Sequence, residues 1–216
     1  MSLRRERREI IAHRVAQELH DGMYVNLGIG LPTLVPNYLQ PGTEIILHAE
    51  NGMLGVGPYP YDGEEDPEII NAGKETVEEI VGCCYVSSAD SFGMIRGGHI
   101  DISILGALEV DENGNLANWA IPGKMLKGMG GGMDLVSGAK RVIVAMEHTT
   151  KESKPKIVKR CSLPLTGVGV VDMIVTELAV IEVAPRGLCL RELSLGVTFE
   201  DVQSVTEPTL ILDLCR

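Results

Sequence analysis

The feature that most constrains the fold is the alternation of short apolar runs with helix-like segments. Runs rich in Val, Ile and Leu recur at 23–27, 44–49, 102–105, 141–146, 173–176 and 178–183. The first helical segment has Ile11, Val15 and Leu19 at helical spacing and is closed by Asp21 and Gly22. Continuous apolar strands separated by helices are typical of parallel sheets covered on both faces. We therefore expect an α/β fold, an open, mostly parallel sheet with helices on both faces, as one domain over residues 1–216.

The first apolar run leads directly into a glycine-rich turn. Gly28 and Gly30 are followed by Pro32, and residues 33–39 suit a helix opened by that proline. The turn resembles a dinucleotide-binding fingerprint, but Thr33 replaces the third glycine and the acidic residue at a later strand end is missing. A tight structural turn and a ligand-binding turn both remain open from this pattern.

The second apolar run, EIILHA at 44–49, stops at Glu50, Asn51 and Gly52. A carboxylate directly after a buried strand lies at the carboxyl edge of the sheet, where open α/β sheets bind ligands. From position alone, a solvated turn residue is the more frequent outcome than a reactive group. Residues 55–67 are expected to form a loop, and Asn113-Gly114 predicts a hairpin between 107–110 and 116–119.

Two further segments stand out by composition. Gly128–Gly132 holds four glycines in five residues, which favours either a mobile loop or a close approach of backbone to a ligand. Asp134 and the absence of a Gly-Lys-Ser/Thr sequence argue against a phosphate-binding P-loop. A basic run, Lys151 to Arg160, is either a solvated surface or a contact for exposed phosphates.

The composition excludes several classes of protein. A net charge of −11, with one Trp and two Phe, disfavours nucleic-acid binding. Five cysteines without a CxxC pair, and histidines without metal-ligand spacing, predict neither a disulfide framework nor a metal site. No apolar run is long enough to span a membrane. The arginine-rich start also contains Glu6 and Glu9, unlike a transit peptide, so we expect a cytoplasmic protein without a membrane partner.

Ordered motifs along nearly the whole chain resemble one known family. They are VNLGIGLP at 25–32, AENGMLGVGPYP at 49–60, INAGKETV at 70–77, SFGMIRGGHID at 91–101, GNLANW at 114–119, IPGKMLKGMGGGMDLVSGAK at 121–140 and CSLPLTG at 161–167. In this order they are similar to the B subunit of 3-oxoacid CoA-transferases of the succinyl-CoA:acetoacetate type.

The resemblance implies a fold of the CoA-transferase and sugar-phosphate isomerase kind, with the site at a subunit interface. Glu50 would be the nucleophile, Asn26 would orient it, and a backbone N–H near Gly131 would stabilise an oxyanion. Our candidate CoA contacts, of which Lys154 rests on charge rather than on the resemblance, are Gly28, Gly30, Asn51, Gly52, Gly130 and Lys154.

The implied activity moves CoA between carboxylic acids through a glutamyl-CoA thioester. CoA is then a substrate rather than a resident cofactor, and neither metal nor ATP is needed. The implied partners are an A subunit, in a heterotetramer or similar assembly, with acyl-CoA and a carboxylic acid as substrates. Ala49 and Gly132 stand where the family commonly has Ser and Ala. Two alternatives remain open: a non-catalytic CoA-binding or assembly subunit, and a sugar-phosphate isomerase.

Overall fold

A computed structural model of the chain describes residues 2–123 and 128–214. The described helices are α1 (Ser2–Ala16), a 3₁₀ helix (Pro32–Tyr38), α2 (Ser88–Arg96), α3 (Gly132–Gly138) and α4 (Phe199–Ser204). The described strands are β1 (Tyr24–Leu27), β2 (Ile46–Ala49), β3 (Met53–Val56), β4 (Glu79–Tyr85), β5 (Ile102–Leu105), β6 (Glu109–Asp111), β7 (Leu116–Ala117), β8 (Arg141–Ala145), β9 (Ile157–Val158), β10 (Met173–Val175), β11 (Ala179–Ala184), β12 (Gly187–Leu193) and β13 (Ile211–Leu212).

Ten strands form one mixed sheet in the order β13-β12-β11-β10-β8-β5-β1-β2-β3-β4. Its centre, from β10 to β2, is parallel throughout, whereas β3 and β4 at one side and β11 and β12 at the other are antiparallel. The predicted α/β fold with a mostly parallel sheet is thus confirmed for the centre, and the flanks make the sheet mixed. A separate three-stranded sheet has the order β7-β6-β9 and contains the predicted hairpin.

Two apolar clusters lie on opposite faces of the large sheet. On one face, Ile11 and Val15 of α1 pack with Ile143 of β8. On the other face, Ile95 of α2 and Leu135 of α3 pack in a second cluster. That cluster includes Val144 of β8 and Ile174 of β10, each next in sequence to a residue of the first cluster. Because successive strand residues point to opposite faces, an uninterrupted apolar strand supplies both clusters. Helices therefore cover both faces, as the apolar runs predicted.

Three local predictions differ from the structure. α1 ends at Ala16, and the chain continues in turns closed by bonds such as Leu19 N–H to the Ala16 carbonyl. The segment after Pro32 is a 3₁₀ helix because Pro36 has no N–H to donate within it. The expected loop at 55–67 starts later, because residues 53–56 form β3 and turn the chain back along β2.

Candidate active site

Glu50 directly follows β2 and begins a three-residue turn into β3. β2 runs parallel to β1, so Glu50 lies at the same carboxyl edge as the glycine turn after β1. The turn is closed by Gly52 N–H donating to the Ala49 carbonyl at 3.0 Å. Gly52 has a φ of +124°, and an added Cβ there would lie 2.3 Å from the Val86 carbonyl oxygen. A glycine is therefore required at this corner.

Polar side chains interrupt the apolar sheet beside Glu50. Asn26 of β1 is in register with His48 of β2 on one side and with Ser103 of β5 on the other. All three are buried, and they lie on the opposite face from Val25 and its cluster. We name this set, His48, Asn26 and Ser103, the polar row. Burying an unpaired polar group destabilises the fold by on the order of 1–3 kcal/mol. Structural stability alone therefore does not account for three polar residues at this place in the sheet.

The side chain of Glu50 is half-buried and is contacted from two directions. The amide nitrogen Nδ2 of Asn26 donates to Glu50 Oε2 at 3.3 Å. On another side, a methyl group added to Gly131 would lie 3.1 Å from Glu50 Cγ and 3.2 Å from the ring of Phe92. The structure thus brings together Glu50, Asn26 and Gly131, the three residues for which the family resemblance implies a catalytic role.

His48 connects this contact to α2. Its Nδ1 lies 3.1 Å from Asn26 Nδ2, and its Nε2 lies 2.8 Å from Ser91 Oγ. Since Asn26 Nδ2 can only donate, Nδ1 must accept, which places the imidazole proton on Nε2, pointing to Ser91. Burial lowers the pKa of His48, an effect that the nearby Glu50 carboxylate opposes. The ring is therefore kept neutral, as this hydrogen-bond pattern requires.

The orientation of the Asn26 amide follows from its surroundings. Its Nδ2 also lies 3.0 Å from the backbone carbonyl of His48, so the two N–H groups of this nitrogen are shared among three acceptors. The reversed amide would place Oδ1 against a carbonyl oxygen and a carboxylate, which repel it. Within the described part of the chain, Asn26 Oδ1 and the neighbouring Ser103 Oγ are the two buried side-chain atoms without a hydrogen-bond partner.

A cavity of about 720 Å³ opens beside Glu50. This size is in the range of cofactor and ligand sites. Its wall is mostly apolar and includes Leu27, Leu47 and Val77, and the polar residues that line it include Glu50, Tyr59 and Glu75. A cavity of this kind can exclude water from a reactive carboxylate while accepting an organic ligand.

The candidate CoA contacts fall into different environments. Gly28 packs against β5, donating to the Ile104 carbonyl at 2.7 Å, so close strand packing already explains it. Asn51 donates to the Ile70 carbonyl at 2.8 Å and so anchors the segment after the turn. Gly30 and Gly130 have positive φ and open space around them. Lys154 is exposed in a turn after β8 and does not line the cavity, so its assignment to CoA phosphates stays a prediction.

Two kinds of feature, a helix able to span a membrane and a cluster of metal-binding side chains, are absent from the described residues. None of the described helices has the length and apolar character that crossing a membrane requires. Among the described residues, no group of three or more His, Cys, Asp or Glu side chains is placed to hold a metal ion.

Comparison with known proteins decides the family. The model of the coenzyme A transferase family matches residues 8–204, which include every residue of the site described above. The chain belongs to the coenzyme A transferase family.

Two relatives of this transferase chain are similar over nearly their full length. One is the B subunit of a probable succinyl-CoA:3-ketoacid coenzyme A transferase of Bacillus subtilis, which is 56% identical over 203 residues, covering 94% of each chain. The other is the B subunit of the succinyl-CoA:3-ketoacid coenzyme A transferase of Helicobacter pylori. It is 56% identical over 200 residues, covering 93% of this chain and 96% of that one.

A solved structure extends the likeness to the fold. The apoenzyme of an acyl-CoA transferase from Escherichia coli O157:H7 matches 97% of this transferase chain with a TM-score of 0.78 at 22% sequence identity. The chain spans only 43% of the length of that Escherichia coli chain.

Sequence reasoning missed His48, Ser91 and Ser103 in this coenzyme A transferase. Ser91 begins the motif SFGMIRGGHID, but that motif gave it no role, and Ser91 is far from His48 in the chain. The sequence did hold one signal for two of them. His48 lies inside the apolar run EIILHA and Ser103 inside ISIL, so each is a polar residue in a strand whose other residues indicate full burial.

Proposed function

We propose that this chain is the catalytic subunit of an enzyme that moves CoA between succinyl-CoA and acetoacetate or another 3-oxoacid, with Glu50 as the group that carries CoA. The observation that supports this most directly is the position of Glu50. It lies at the carboxyl edge of the sheet, bonded to Asn26 at 3.3 Å, against Gly131 and beside the cavity. The names of the Bacillus subtilis and Helicobacter pylori relatives support the choice of acids.

In the proposed reaction the Glu50 carboxylate attacks the thioester carbon of an acyl-CoA. The C–S bond breaks, CoA leaves as thiolate, and a mixed anhydride joins the acyl group to Glu50. The thiolate then attacks the glutamyl carbonyl, which forms a Glu50–CoA thioester and releases the first acid as carboxylate. The incoming acid reverses both steps. The energy of the thioester is retained throughout, because each step exchanges one acyl derivative for another.

The residues around Glu50 have separate parts in this proposal. Asn26 holds one carboxylate oxygen, so that the other is directed at the thioester carbon. Gly131 lies against the Glu50 side chain, and its backbone N–H is our candidate for stabilising the oxyanion of each tetrahedral intermediate. The mostly apolar wall, once a second subunit closes its open side, excludes water that would hydrolyse the anhydride or the thioester.

We also propose that the enzyme needs a second subunit of the A type. Both bacterial relatives are named as B subunits, and the Escherichia coli acyl-CoA transferase chain is more than twice as long as this one. The cavity beside Glu50 is open, which leaves room for a second subunit to complete its wall.

A cytoplasmic location fits the four described cysteines, which are free thiols: Cys83, Cys84, Cys161 and Cys189.

The decisive experiment is to trap the covalent intermediate on the chain co-expressed with its A subunit. With succinyl-CoA and no acceptor acid, the peptide that contains Glu50 should gain CoA, and borohydride should reduce this thioester and inactivate the enzyme. Glu50→Gln should lose turnover by several orders of magnitude, because the neutral amide is not a nucleophile. Glu50→Asp should lose on the order of a hundredfold, since the carboxylate is withdrawn by about 1 Å. Mass spectrometry of the digested complex gives the readout.

The matched control is Glu64→Gln, which removes a carboxylate from an exposed acidic segment and should leave turnover unchanged. The same experiment on the chain without its A subunit tests the partner, and we expect no adduct. A CoA adduct on another residue, or full activity of Glu50→Gln, contradicts the assignment. A complex that binds CoA but forms no adduct supports an assembly subunit, and isomerisation of a sugar phosphate without CoA supports the isomerase.

A further inference from the structure

Two members of the polar row, Asn26 and His48, belong to a chain of hydrogen bonds that begins and ends next to Glu50. Asn26 Nδ2 contacts Glu50 Oε2 at 3.3 Å and His48 Nδ1 at 3.1 Å. His48 Nε2 reaches Ser91 Oγ at 2.8 Å, and Ser91 Oγ donates to the Ala49 carbonyl at 3.5 Å. Ala49 is the residue before Glu50, so one continuous path connects the carboxylate to its own backbone.

The direction of the donors along this path is fixed at each step. A serine hydroxyl both donates and accepts, so the direction is set at Asn26, whose Nδ2 only donates. His48 Nδ1 therefore accepts, the Nε2–H of His48 donates to Ser91 Oγ, and Ser91 Oγ donates to the Ala49 carbonyl. His48 then carries no proton on Nδ1 and accepts from Asn26. The acceptor at Nδ1, together with the His48 carbonyl and the Glu50 carboxylate, keeps the NH₂ group of Asn26 on the side of Glu50. Replacing the acceptor at Nδ1 with a donor or with a hydrocarbon removes one of these three acceptors and weakens this preference.

We propose that His48, hydrogen-bonded to Ser91 through Nε2, is a positioning residue that helps to hold the Asn26 amide in the orientation that binds and directs Glu50. This inference rests on the proposed function of Glu50 and goes beyond it, since His48 does not touch a reacting atom. His48 and Ser91 are 4% and 0% exposed, and α2 fixes Ser91 from the opposite side of the contact. Removing the path allows the Glu50 carboxylate to rotate away from the thioester carbon, with little effect on CoA binding.

Two substitutions separate positioning from simple packing. His48→Leu has a similar volume but no acceptor for Asn26, and we expect turnover to fall about 10- to 100-fold with KM for succinyl-CoA changed less than threefold. His48→Asn places an amide oxygen close to the position of Nδ1. It should recover most of that loss, because the acceptor is restored.

The pH profile gives a second readout. When His48 is protonated, Nδ1 becomes a donor and repels the Asn26 amide, so turnover of the native complex should fall on the acidic side of neutrality. Within the described chain, Glu50 is the titratable group whose charge acts on His48, and Ser91 is its hydrogen-bonded neighbour. His48→Asn cannot be protonated in this range, so its acidic limb should move to lower pH.

His148 offers a matched control. It is also fully buried, and its ring nitrogens contact two hydroxyl groups, Thr176 Oγ1 at 2.9 Å and Thr206 Oγ1 at 2.8 Å, away from Glu50. His148→Asn should change stability without changing turnover per active site, counted by trapping the CoA adduct on Glu50. All variants are measured as complexes with the co-expressed A subunit.

The outcomes distinguish this inference from the proposed function. If the native complex forms no CoA adduct on Glu50, the proposed function fails and the role of His48 fails with it. If the native complex forms the adduct and His48→Leu forms it at the same rate per folded molecule, the positioning role alone is wrong. An equal loss in His48→Leu and His48→Asn also contradicts it, because packing rather than the acceptor would then matter.

Discussion

At the scale of single residues, two neighbouring glycines at the start of α3, Gly131 and Gly132, have different surroundings. An added Cβ on Gly131 would lie 3.1 Å from Glu50 Cγ, whereas on Gly132 it would meet only Thr166 Cγ2 at 3.5 Å, an ordinary contact. Gly131→Ala should therefore displace the Glu50 side chain by roughly 1 Å, and this misplacement of the carboxylate should lower turnover at least tenfold. The free energy of unfolding should change little. Steady-state kinetics and denaturant titration measure the two quantities.

The control for this prediction is Gly132→Ala, in the first position of α3. Alanine there should leave turnover close to the native value and stabilise the helix by about 0.5–1 kcal/mol. The same geometry explains why the Gly132 departure from the common family pattern is tolerable. If both substitutions lower turnover equally, the contact between Gly131 and Glu50 is not what limits the reaction.

Residue roles were only partly accessible from the sequence. Glu50 stood out because it ends an apolar strand, but position alone favoured a solvated turn residue, and its role came from the family resemblance. The partner of His48 could not be found in this way, since Ser91 lies on a helix that meets β2 only after folding. Hydrogen bonds between segments distant in the chain leave no periodic pattern in the sequence.

At the scale of elements, the hairpin of β2 and β3 depends on Gly52. Gly52→Ala combines a φ of +124° with a Cβ only 2.3 Å from the Val86 carbonyl, and we expect a loss of about 3 kcal/mol in stability. Gly22 is the control, because its φ is +77° but no heavy atom lies within 4 Å of an added Cβ. Gly22→Ala should cost only about 1 kcal/mol. Equal losses in thermal or denaturant unfolding would show that the Val86 contact relaxes freely.

Strands with a mostly apolar run were predictable, whereas β3 and β12 were not. β5 was expected at 102–105 and is found at Ile102–Leu105. β3 was missed because Gly55 reads as a loop residue; it has a φ of +96° at a register shift against β4, where an added Cβ would lie 3.0 Å from Cys83 Cα. β12 was missed because Arg191 and Glu192 interrupt its apolar pattern.

At the scale of the whole molecule, stability in acid should depend on His148. Burial, followed by the charge of Lys156, lowers the pKa of His148 to about 4 from its usual value of 6.5. The unfolded chain therefore takes up a proton first, so folding stability falls as the pH drops from 6.5 to 4 and is unaffected above that range. A difference of this size corresponds to about 3 kcal/mol.

His148→Asn tests this dependence, since the amide does not titrate. Its stability is expected to be lower than that of the native chain at pH 7 because two hydroxyl contacts are weakened. Between pH 6.5 and pH 4 the native chain should lose about 3 kcal/mol more than the variant, as measured by urea unfolding at each pH. Parallel losses in the two proteins would assign the acid sensitivity to carboxylates instead.

The groups around Glu50 come from widely separated parts of the chain: β1 supplies Asn26, α2 supplies Phe92, and the loop before α3 supplies Gly131. During synthesis, Glu50 leaves the ribosome long before Gly131 does. If Glu50 is the nucleophile, as we propose, a chain that ends before Gly131 lacks the contact against the Glu50 side chain, and its carboxylate should be no more reactive than that of free glutamate. Unfinished or truncated copies should then leave acyl-CoA unchanged.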